Sequence, residues 1–327
     1  MRAFVCPRCH ALLSYEDLLC VTCSTQVAYD RVRQTLVDLA GVSGCENREQ
    51  IGCNWASAAG GGLCGCCLLT TVRPNDHDLA GVAAWALTET AKRRLVYQLD
   101  DLALTVAGVS FKLLSSREEN VVTGHADGVI TIDMAEGHDV HREAVRIGLG
   151  ETYRTLLGHL RHEIGHWYWQ VLVDGTRRQE PFRELFGDER RDYATALQEH
   201  YASDDDRGWS TTHVTRYAAS HPWEDWAECF AHYLHIADAL QTTASWRLRL
   251  GGPVTEPPVS QVGSLSAEPT DRVASFDQMI AQWLPLSFML NAVNRSLGQS
   301  DAYPFLLAPS VLEKLRFVHA AVTADQA

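Results

Sequence analysis

The pattern of apolar and polar residues changes along the chain near residue 75. Residues before that point form short stretches with many turns, whereas residues 78–99 carry apolar side chains at helical spacing. We therefore predict a helix over 78–99 that bridges two units. β-Branched residues cluster in 109–114 and 128–136, which predicts two strands, and Ala-Asp-Gly at 126–128 predicts a turn into the second.

The pattern of the second half of the chain is mainly helical. Leucine, isoleucine, tryptophan and valine recur at three- and four-residue steps, predicting a helix over 153–173 that Asp174-Gly175 ends. The predicted apolar stripe of that helix consists of Leu156, Leu160, Ile164, Trp167 and Val171. Further helices are predicted over 188–201, 221–240, 276–295 and 310–322, with a loop over 251–270. Strands and helices together indicate an α+β protein.

Composition narrows the classes of function. The 327 residues are 46% hydrophobic and 21% charged, as in ordinary globular proteins. The net charge of −13 argues against a nucleic-acid partner that is held mainly through its phosphates. The sequence has no run of 18 apolar residues, so we expect no membrane partner. The first residues resemble no signal peptide, and we expect a cytoplasmic protein.

Nine of the ten cysteines lie within the first 67 residues. Two Cys-x-x-Cys pairs separated by ten residues form a zinc-ribbon pattern, because each pair presents two thiolates at tetrahedral spacing. Without an export signal, metal binding explains such pairs better than disulfides do. The predicted ligands of this first zinc site are Cys6, Cys9, Cys20 and Cys23.

A second group of cysteines is less regular in its spacing. Cys64 and Cys67 make a third pair, which two earlier cysteines can complete to a second zinc site. The predicted ligands of this second site are Cys45, Cys53, Cys64 and Cys67. Cys66 is then left over and is interpreted as a free thiol. Cys229, inside a predicted helix, is interpreted as a small buried apolar residue.

The stretch HEIGH, residues 162–166, contains the chemistry of a zinc hydrolase. On a helix, His162 and His166 project from one face about 6 Å apart and can bind one metal ion. Glu163 then lies beside a water molecule from which it can take a proton. The extended motif HExxHxxGxxH, which supplies a third histidine ligand on the same segment, is excluded. It requires glycine at position 169 and histidine at position 172, where this chain has Trp169 and Leu172.

A later predicted helix offers the third ligand. Glu224 and Glu228 are one turn apart on one face, so one can bind zinc while the other bonds a ligating imidazole. Asp225 points about 100° away from Glu224 on a helix and is not the predicted ligand. His159 is interpreted as a supporting or core histidine, and Arg161 as a solvated or ion-paired residue, although it could also bind a substrate carboxylate.

These residues support a resemblance to known enzymes. Residues 224–230, EDWAECF, resemble the ExxxExF helix of gluzincins, notably the lethal-factor-like metalloproteases. The whole chain is similar to a bacterial family of zinc-binding metallopeptidases with an N-terminal zinc ribbon. The similarity lies in the stretches CPRC, GCNW, AKRRLVYQL, RTLLGHLRHEIGHWYW, HPWEDWAECFAHYLH and NRSLGQSDAYPF.

The resemblance implies a role for each residue of the site. The first glutamate of the helix, Glu224, would bind zinc, which leaves Glu228 to bond an imidazole. Lethal-factor-like enzymes place a tyrosine seven residues before the ligating glutamate, where it donates a hydrogen bond to the oxyanion. In this chain that position is Tyr217. Three neighbours are alternative donors: His221, His213 and Tyr201.

The sequence thus predicts a zinc-ribbon domain over 1–75, a bridging helix over 76–100 and a zincin-like catalytic domain over 101–327. The expected function is zinc-dependent hydrolysis of peptide bonds, with one catalytic zinc ion and one or two structural ones. The expected partners are a peptide or protein substrate and a protein that binds the ribbon. The alternative is an adaptor protein in which the ribbon binds a protein or nucleic acid and the zincin domain is an inactive scaffold.

Overall fold

The computed structural model describes residues 1–116, 121, 123–137, 155–202, 208–251 and 275–324. The chain divides into two compact units, Met1–Val145 and Arg146–Ala327. The described strands all lie in the first unit, and the described residues of the second unit are helices, turns and loops. The predicted α+β class is therefore confirmed. Residues 153–154 of a predicted helix and residues 252–270 of a predicted loop lie outside the described residues.

Three small sheets build much of the first unit. Its strands are β1 (Phe4–Val5), β2 (Leu12–Leu13), β3 (Val27–Asp30), β4 (Thr35–Asp38), β5 (Thr70–Val72), β6 (Ser110–Leu114), β7 (Gly124–Ala126) and β8 (Val129–Asp133). β1 pairs with β2 and β3 with β4, both antiparallel. The largest sheet has the order β5-β6-β8-β7, in which β6 is parallel to β5 and β8, and β7 is antiparallel to β8.

The first unit also confirms the predicted helix and turn. Among its described residues the α-helices are α1 (Arg48–Ile51) and α2 (Leu79–Asp101), and the latter matches the predicted helix over 78–99. The turn between β7 and β8 places Asp127 and Gly128 at φ angles of 48° and 77°. Two consecutive positive φ angles are typical of tight hairpin turns, for which Asp-Gly is a favoured pair. The predicted division into domains at residues 75 and 100 stays a prediction, because both positions fall inside this unit.

Aromatic side chains form the core beside the first two sheets. The rings of Tyr15, Tyr29 and Tyr97 lie 5.0 to 5.5 Å apart in pairs. The indole N–H of Trp55 donates to Tyr15 Oη at 2.6 Å, so the polar ends of these two buried side chains, Trp55 and Tyr15, are paired with each other. A core of this kind supplements the small amount of apolar surface that such short strands can bury.

The described part of the second unit is mainly helical, and its helices are numbered in chain order. They are α3 (Leu156–Leu172), α4 (Gln179–Phe186), α5 (Tyr193–Ala202), α6 (Pro222–Ser245), α7 (Phe276–Ser296) and α8 (Pro309–Ala324). The predicted helices over 153–173, 221–240, 276–295 and 310–322 are present, whereas α4 was not predicted. None of the helices in the described ranges is long and apolar enough to cross a membrane.

Two details of the helix predictions are wrong. The helix predicted to begin at residue 188 begins at Tyr193, because the Asp192 side chain accepts from Thr195 N and so caps the helix. The apolar stripe predicted for α3 also differs from the buried face of the helix, since Val171 is exposed whereas Tyr168 and Leu172 are buried. The buried row follows four-residue steps from Leu156, which is the ridge that packs against a neighbouring helix.

The ends of α3 and α6 follow from local sequence. Thr155 accepts a hydrogen bond from Gly158 N at the start of α3, and Gly175 adopts a φ of +64° beyond its end. At the start of α6, His221 Nδ1 accepts from Trp223 N at 3.1 Å, and Pro222 occupies the first turn. These ends place the HEIGH residues and the two glutamates within the regular parts of their helices.

Candidate metal centre

A glycine allows α3 and α6 to approach each other closely. A Cβ atom added to Gly165 would lie 3.1 Å from Ala227 Cα and 3.3 Å from both Ala227 O and Phe230 Cβ. The indole N–H of Trp226 donates to Gly165 O at 2.8 Å. The glycine of HEIGH is therefore required by packing, and it brings the HEIGH helix within ligand distance of the glutamates on α6.

We expect Gly165→Ala to destabilise the protein even though alanine favours helix by about 1 kcal/mol. The added methyl group meets the backbone of α6, and overpacking of this kind costs roughly 1–3 kcal/mol. Chemical denaturation should show a lower free energy of unfolding, together with weaker zinc binding at the histidines. Gly41→Ala is the control, because residue 41 has no positive φ angle and a Cβ there meets no atom within 4 Å. An unchanged unfolding midpoint for Gly165→Ala would contradict the packing role.

Two histidines and one glutamate converge on a common point. Oε2 of Glu224 lies 2.9 Å from His162 Nε2 and 3.5 Å from His166 Nε2. The two Nε2 atoms are 3.2 Å apart. Three ligands at ~2.0–2.1 Å from a tetrahedral zinc ion lie roughly 3.3 Å from one another, so these separations suit one ion. All three residues are buried.

The tautomer of the His162 ring also indicates a metal site. Its Nδ1 lies 2.7 Å from Glu228 Oε1, and a carboxylate acceptor there keeps the proton of a neutral ring on Nδ1. Nε2 then presents its lone pair to His166 and Glu224. Glu228 is itself held, because Thr215 Oγ1 donates to its other oxygen at 2.9 Å. Facing lone pairs at these distances require a cation between them, and a carboxylate behind a ligating imidazole is common in zinc sites.

The pKa shifts show that the centre attracts positive charge. Burial alone would lower the pKa of His162, but Glu224 and Glu228 raise it well above its ordinary value. Burial alone would raise the pKa of Glu224, but contact with the two histidines holds it well below its ordinary value. Both directions favour a cation among these residues. A divalent metal ion supplies that charge while leaving the imidazoles neutral.

Glu163 presents one oxygen to a histidine and leaves the other without a hydrogen bond. Its Oε1 lies 3.0 Å from His159 Nε2, and Oε2 is buried without a hydrogen-bond partner among the described residues. Burial alone would raise the pKa of Glu163, but His159 holds it below its ordinary value. Glu163 is therefore an ionised carboxylate with one oxygen available to a reactant, as a general base requires.

Two phenols lie beside the centre. The Tyr217 ring, in a 3-10 turn that precedes α6, lies 5.9 Å from the His162 ring. Burial raises the pKa of the Tyr217 phenol, which keeps it protonated as a donor. Tyr193, the first residue of α5, donates from Oη to Glu224 Oε1 at 2.7 Å. The side chains of Tyr193 and Tyr217 also interact with each other.

The structure places the alternative oxyanion donors in other roles. His221 caps α6 and its Nε2 lies 3.2 Å from Arg191 O. His213 lies 2.9 Å from Thr212 Oγ1 and 3.7 Å from Asp225 Oδ2. Tyr201 is 61% exposed at the end of α5. Among the predicted donors, Tyr217 is thus the one whose ring lies against a histidine of the centre.

Two charged neighbours of the motifs form ion pairs elsewhere. Asp225 pairs with Lys314 of α8 at 2.5 Å, and both side chains are buried. Cys229 is fully buried beside that carboxylate, with its Sγ 3.7 Å from Asp225 Oδ1. Arg161 pairs with Asp238 across α3 and α6 at 2.7 Å. Asp225, Cys229 and Arg161 are therefore not part of the group formed by the two histidines and Glu224.

The predicted cysteine groups are also assembled. Sγ of Cys6 lies 3.6 Å from that of Cys23, and Sγ of Cys9 lies 3.6 Å from that of Cys20. Four thiolates at ~2.3 Å from a tetrahedral ion lie roughly 3.8 Å apart, which these distances match. The Thr25 hydroxyl beside Cys23 lowers the pKa of that thiol to about 6, which favours the ligating thiolate.

The second cysteine group lies beside buried cations. Cys53 Sγ is 3.7 Å from both Cys64 Sγ and Cys67 Sγ, and Cys64 N donates to Cys45 Sγ at 3.2 Å. Burial alone would lower the pKa of Lys92 on α2, but Glu89 and the nearby thiols raise it. Lys92 is paired with Glu89 at 2.8 Å. The neighbouring Arg93, whose pKa is lowered by burial but raised overall by Cys53 and other nearby acids, adds the positive charge that offsets the thiolates.

Cys66 lies outside both groups of four cysteines. Its side chain is fully buried. Burial raises the pKa of its thiol to about 12, so it stays protonated at neutral pH. The sequence interpretation of Cys66 as a free thiol is compatible with this environment.

Sequence reasoning missed two members of the centre and underestimated a third. Thr215 and Tyr193 lie 13 and 31 positions from the glutamates they bond, and no local pattern marks them. His159 did carry a signal, because it precedes Glu163 by four residues and so lies on the same face of the helix. The sequence interpretation is a supporting or core histidine, and the structure places its Nε2 3.0 Å from Glu163 Oε1.

Comparisons with known proteins agree with a metal site of this kind. A family model described as "Putative zinc-binding metallo-peptidase" matches residues 81–321. Uncharacterized proteins of Mycobacterium bovis and of two Mycobacterium tuberculosis strains are each 44% identical over 336 residues, covering 98% of this chain and 95% of the relative. No solved structure matches. The family model spans most of the chain and includes HEIGH and the glutamate helix, so the chain belongs to the putative zinc-binding metallo-peptidase family.

Proposed function

We propose that the protein is a zinc-dependent peptidase with a zincin-like, gluzincin-type catalytic unit related to the lethal-factor-like metalloproteases. His162, His166 and Glu224 hold the catalytic zinc ion, Glu163 is the general base and Tyr217 the oxyanion donor. The substrate is a peptide or protein. The observation that carries the proposal is the convergence of the three ligands beside Glu163, whose Oε2 has no hydrogen-bond partner among the described residues.

The chemistry divides between the metal and the side chains. A zinc ion at this centre would act as a Lewis acid towards the scissile carbonyl and the attacking water. Glu163 removes a proton from that water as it adds to the carbonyl carbon, and returns the proton to the leaving amine. The C–N bond breaks, and the products are a carboxylic acid and an amine. Glu228 keeps the His162 ring in one tautomer throughout.

Tyr217→Phe tests the oxyanion donor. Removal of one hydroxyl should lower kcat by roughly 10²- to 10³-fold with little change in KM, because the donor acts mainly in the transition state. The fold and the zinc content should be retained. Steady-state kinetics on a cleaved peptide measures the effect, with Tyr233→Phe as the control, because that hydroxyl lies 3.3 Å from His319 Nδ1. An unchanged kcat would reassign the role, and Tyr193 would then be the next phenol to test.

The cysteine-rich segment is proposed to be a zinc ribbon with two structural ions. Metal binding would supply much of the folding free energy of this short-stranded region. The ribbon is also the proposed binding surface for a protein partner. Thiolate sites need reduced cysteines, and we therefore propose that the protein works in the reducing environment of the cytoplasm.

An assay for new peptide N-termini tests the proposed activity. The zinc-loaded protein is incubated with a panel of denatured proteins, and cleavage sites are mapped by mass spectrometry. Glu163→Gln, prepared in parallel, is the control for contaminating proteases. Identical fragments from both preparations, or none from either, would contradict peptidase function.

The adaptor alternative makes a different prediction in the same experiments. An inactive scaffold gives no role to a buried, ionised Glu163, and it predicts binding without cleavage. Nucleic-acid binding measured at several salt concentrations tests it directly, because phosphate contacts weaken as the salt concentration rises.

A further inference from the structure

The two oxygens of Glu224 have different surroundings. Oε2 faces the Nε2 atoms of His162 and His166 at 2.9 and 3.5 Å. Oε1 accepts a hydrogen bond from Tyr193 Oη at 2.7 Å. A carboxylate can bind a metal ion through one or both oxygens, and a strong donor on one oxygen leaves the other as the ligand. The hydroxyl of Tyr193 therefore bears directly on how Glu224 can bind a metal ion.

The start of α5 is built to hold Tyr193 in this position. Its ring lies edge-on to His221 at 5.3 Å and to Trp223 at 6.2 Å. His221 Nδ1 accepts from Trp223 N, so the proton is on Nε2, which donates to Arg191 O at 3.2 Å. The residue that caps α6 thus also fixes the backbone two positions before Tyr193.

Tyr193 is partly exposed, although its hydroxyl reaches a buried carboxylate. Its side chain is 38% exposed, whereas its hydroxyl bonds a carboxylate that is 1% exposed. Its hydroxyl also interacts with the Tyr217 phenol. The Tyr193 side chain therefore lies beside both the ligating carboxylate and the proposed oxyanion donor.

We propose that Tyr193 is a positioning residue that reserves Oε2 of Glu224 for the metal ion by occupying Oε1. The inference rests on the proposed metal site at His162, His166 and Glu224. Without the hydroxyl, Glu224 is free to rotate or to offer both oxygens, and a second carboxylate oxygen would compete with water and substrate for the metal. Tyr193 thereby keeps positions on the metal open for the reaction.

Tyr193→Phe in the full-length protein tests this role through metal binding. Competition with a chelator should show zinc affinity at the histidine centre weakened by roughly 10- to 100-fold, as for other residues that orient ligands. In the protein with cobalt(II) at that centre, the visible absorption should weaken, because both carboxylate oxygens become ligands and the coordination number rises. Tyr233→Phe removes a phenol hydroxyl that lies 3.3 Å from His319 Nδ1, and this control should match the unsubstituted protein in both measurements.

The outcomes separate this inference from the proposed function. If His162→Ala binds as many metal ions as the unsubstituted protein, the metal site itself is refuted, and the inference with it. If His162→Ala loses one ion but Tyr193→Phe keeps normal affinity and a normal cobalt spectrum, only the role of Tyr193 is overturned. Weakened affinity with an unchanged spectrum and a lower unfolding temperature would show a merely structural role and would also overturn it.

Discussion

Glu163→Gln should nearly abolish peptide hydrolysis while leaving the catalytic zinc ion bound. Glutamine has the same shape as glutamate and can still accept a hydrogen bond from His159, but it cannot take a proton from water at neutral pH. General-base catalysis contributes roughly 10²- to 10⁴-fold, and we expect kcat to fall by that factor. Glu163 is not one of the three converging ligands, so metal content should not change.

The measurement pairs kinetics with metal analysis on the same preparation. Glu184→Gln is a suitable control, because it makes the same chemical change on α4, away from HEIGH in sequence and outside the described metal groups. Full activity in Glu163→Gln would exclude Glu163 as the base. Loss of zinc together with activity would instead show that Glu163 supports the metal.

Glu224→Ala should remove one metal ion from each chain and eliminate activity. The unsubstituted protein is expected to contain three zinc ions, two in the cysteine groups and one at the histidines. Removal of Glu224 leaves two histidines, which are too few for a stable site, so two ions should remain. Glu228→Ala should keep three ions when zinc is abundant but weaken the third by about 10- to 100-fold, because Glu228 acts by orienting His162.

Metal analysis and chelator titration distinguish the two glutamates. Replacement of Cys6 and Cys20 is the complementary control, since it should remove a thiolate-bound ion and leave the histidine-bound one. If Glu228→Ala emptied the centre and Glu224→Ala did not, the two roles would be reversed. A single zinc ion in the unsubstituted protein would contradict the two-site ribbon.

Much of the candidate site was predictable because its chemistry is local in sequence. HEIGH places two imidazoles and a carboxylate on one helix, and the four-residue spacing of His162 and His166 puts both imidazoles on one face. Each Cys-x-x-Cys pair is similarly determined by a short turn. The long helices were predicted from their periodicity, whereas α4 and the start of α5 were not. Their boundaries depend on single side chains, such as Asp192, that cap a helix only in the folded chain.

The sequence by itself determined the α+β class, the main helices and the residue types that can hold zinc. Only the tertiary structure decided which side chains meet: Gly165 against Ala227, Tyr193 on Glu224, and Thr215 behind Glu228. The physical reason is the distance along the sequence over which each kind of interaction acts. Helical periodicity and ligand spacing act over a few residues, whereas these contacts join segments 13 to 62 positions apart. Such contacts arise only when α3 packs against α6 and the first residue of α5 reaches the Glu224 carboxylate, so that these polar groups are buried together.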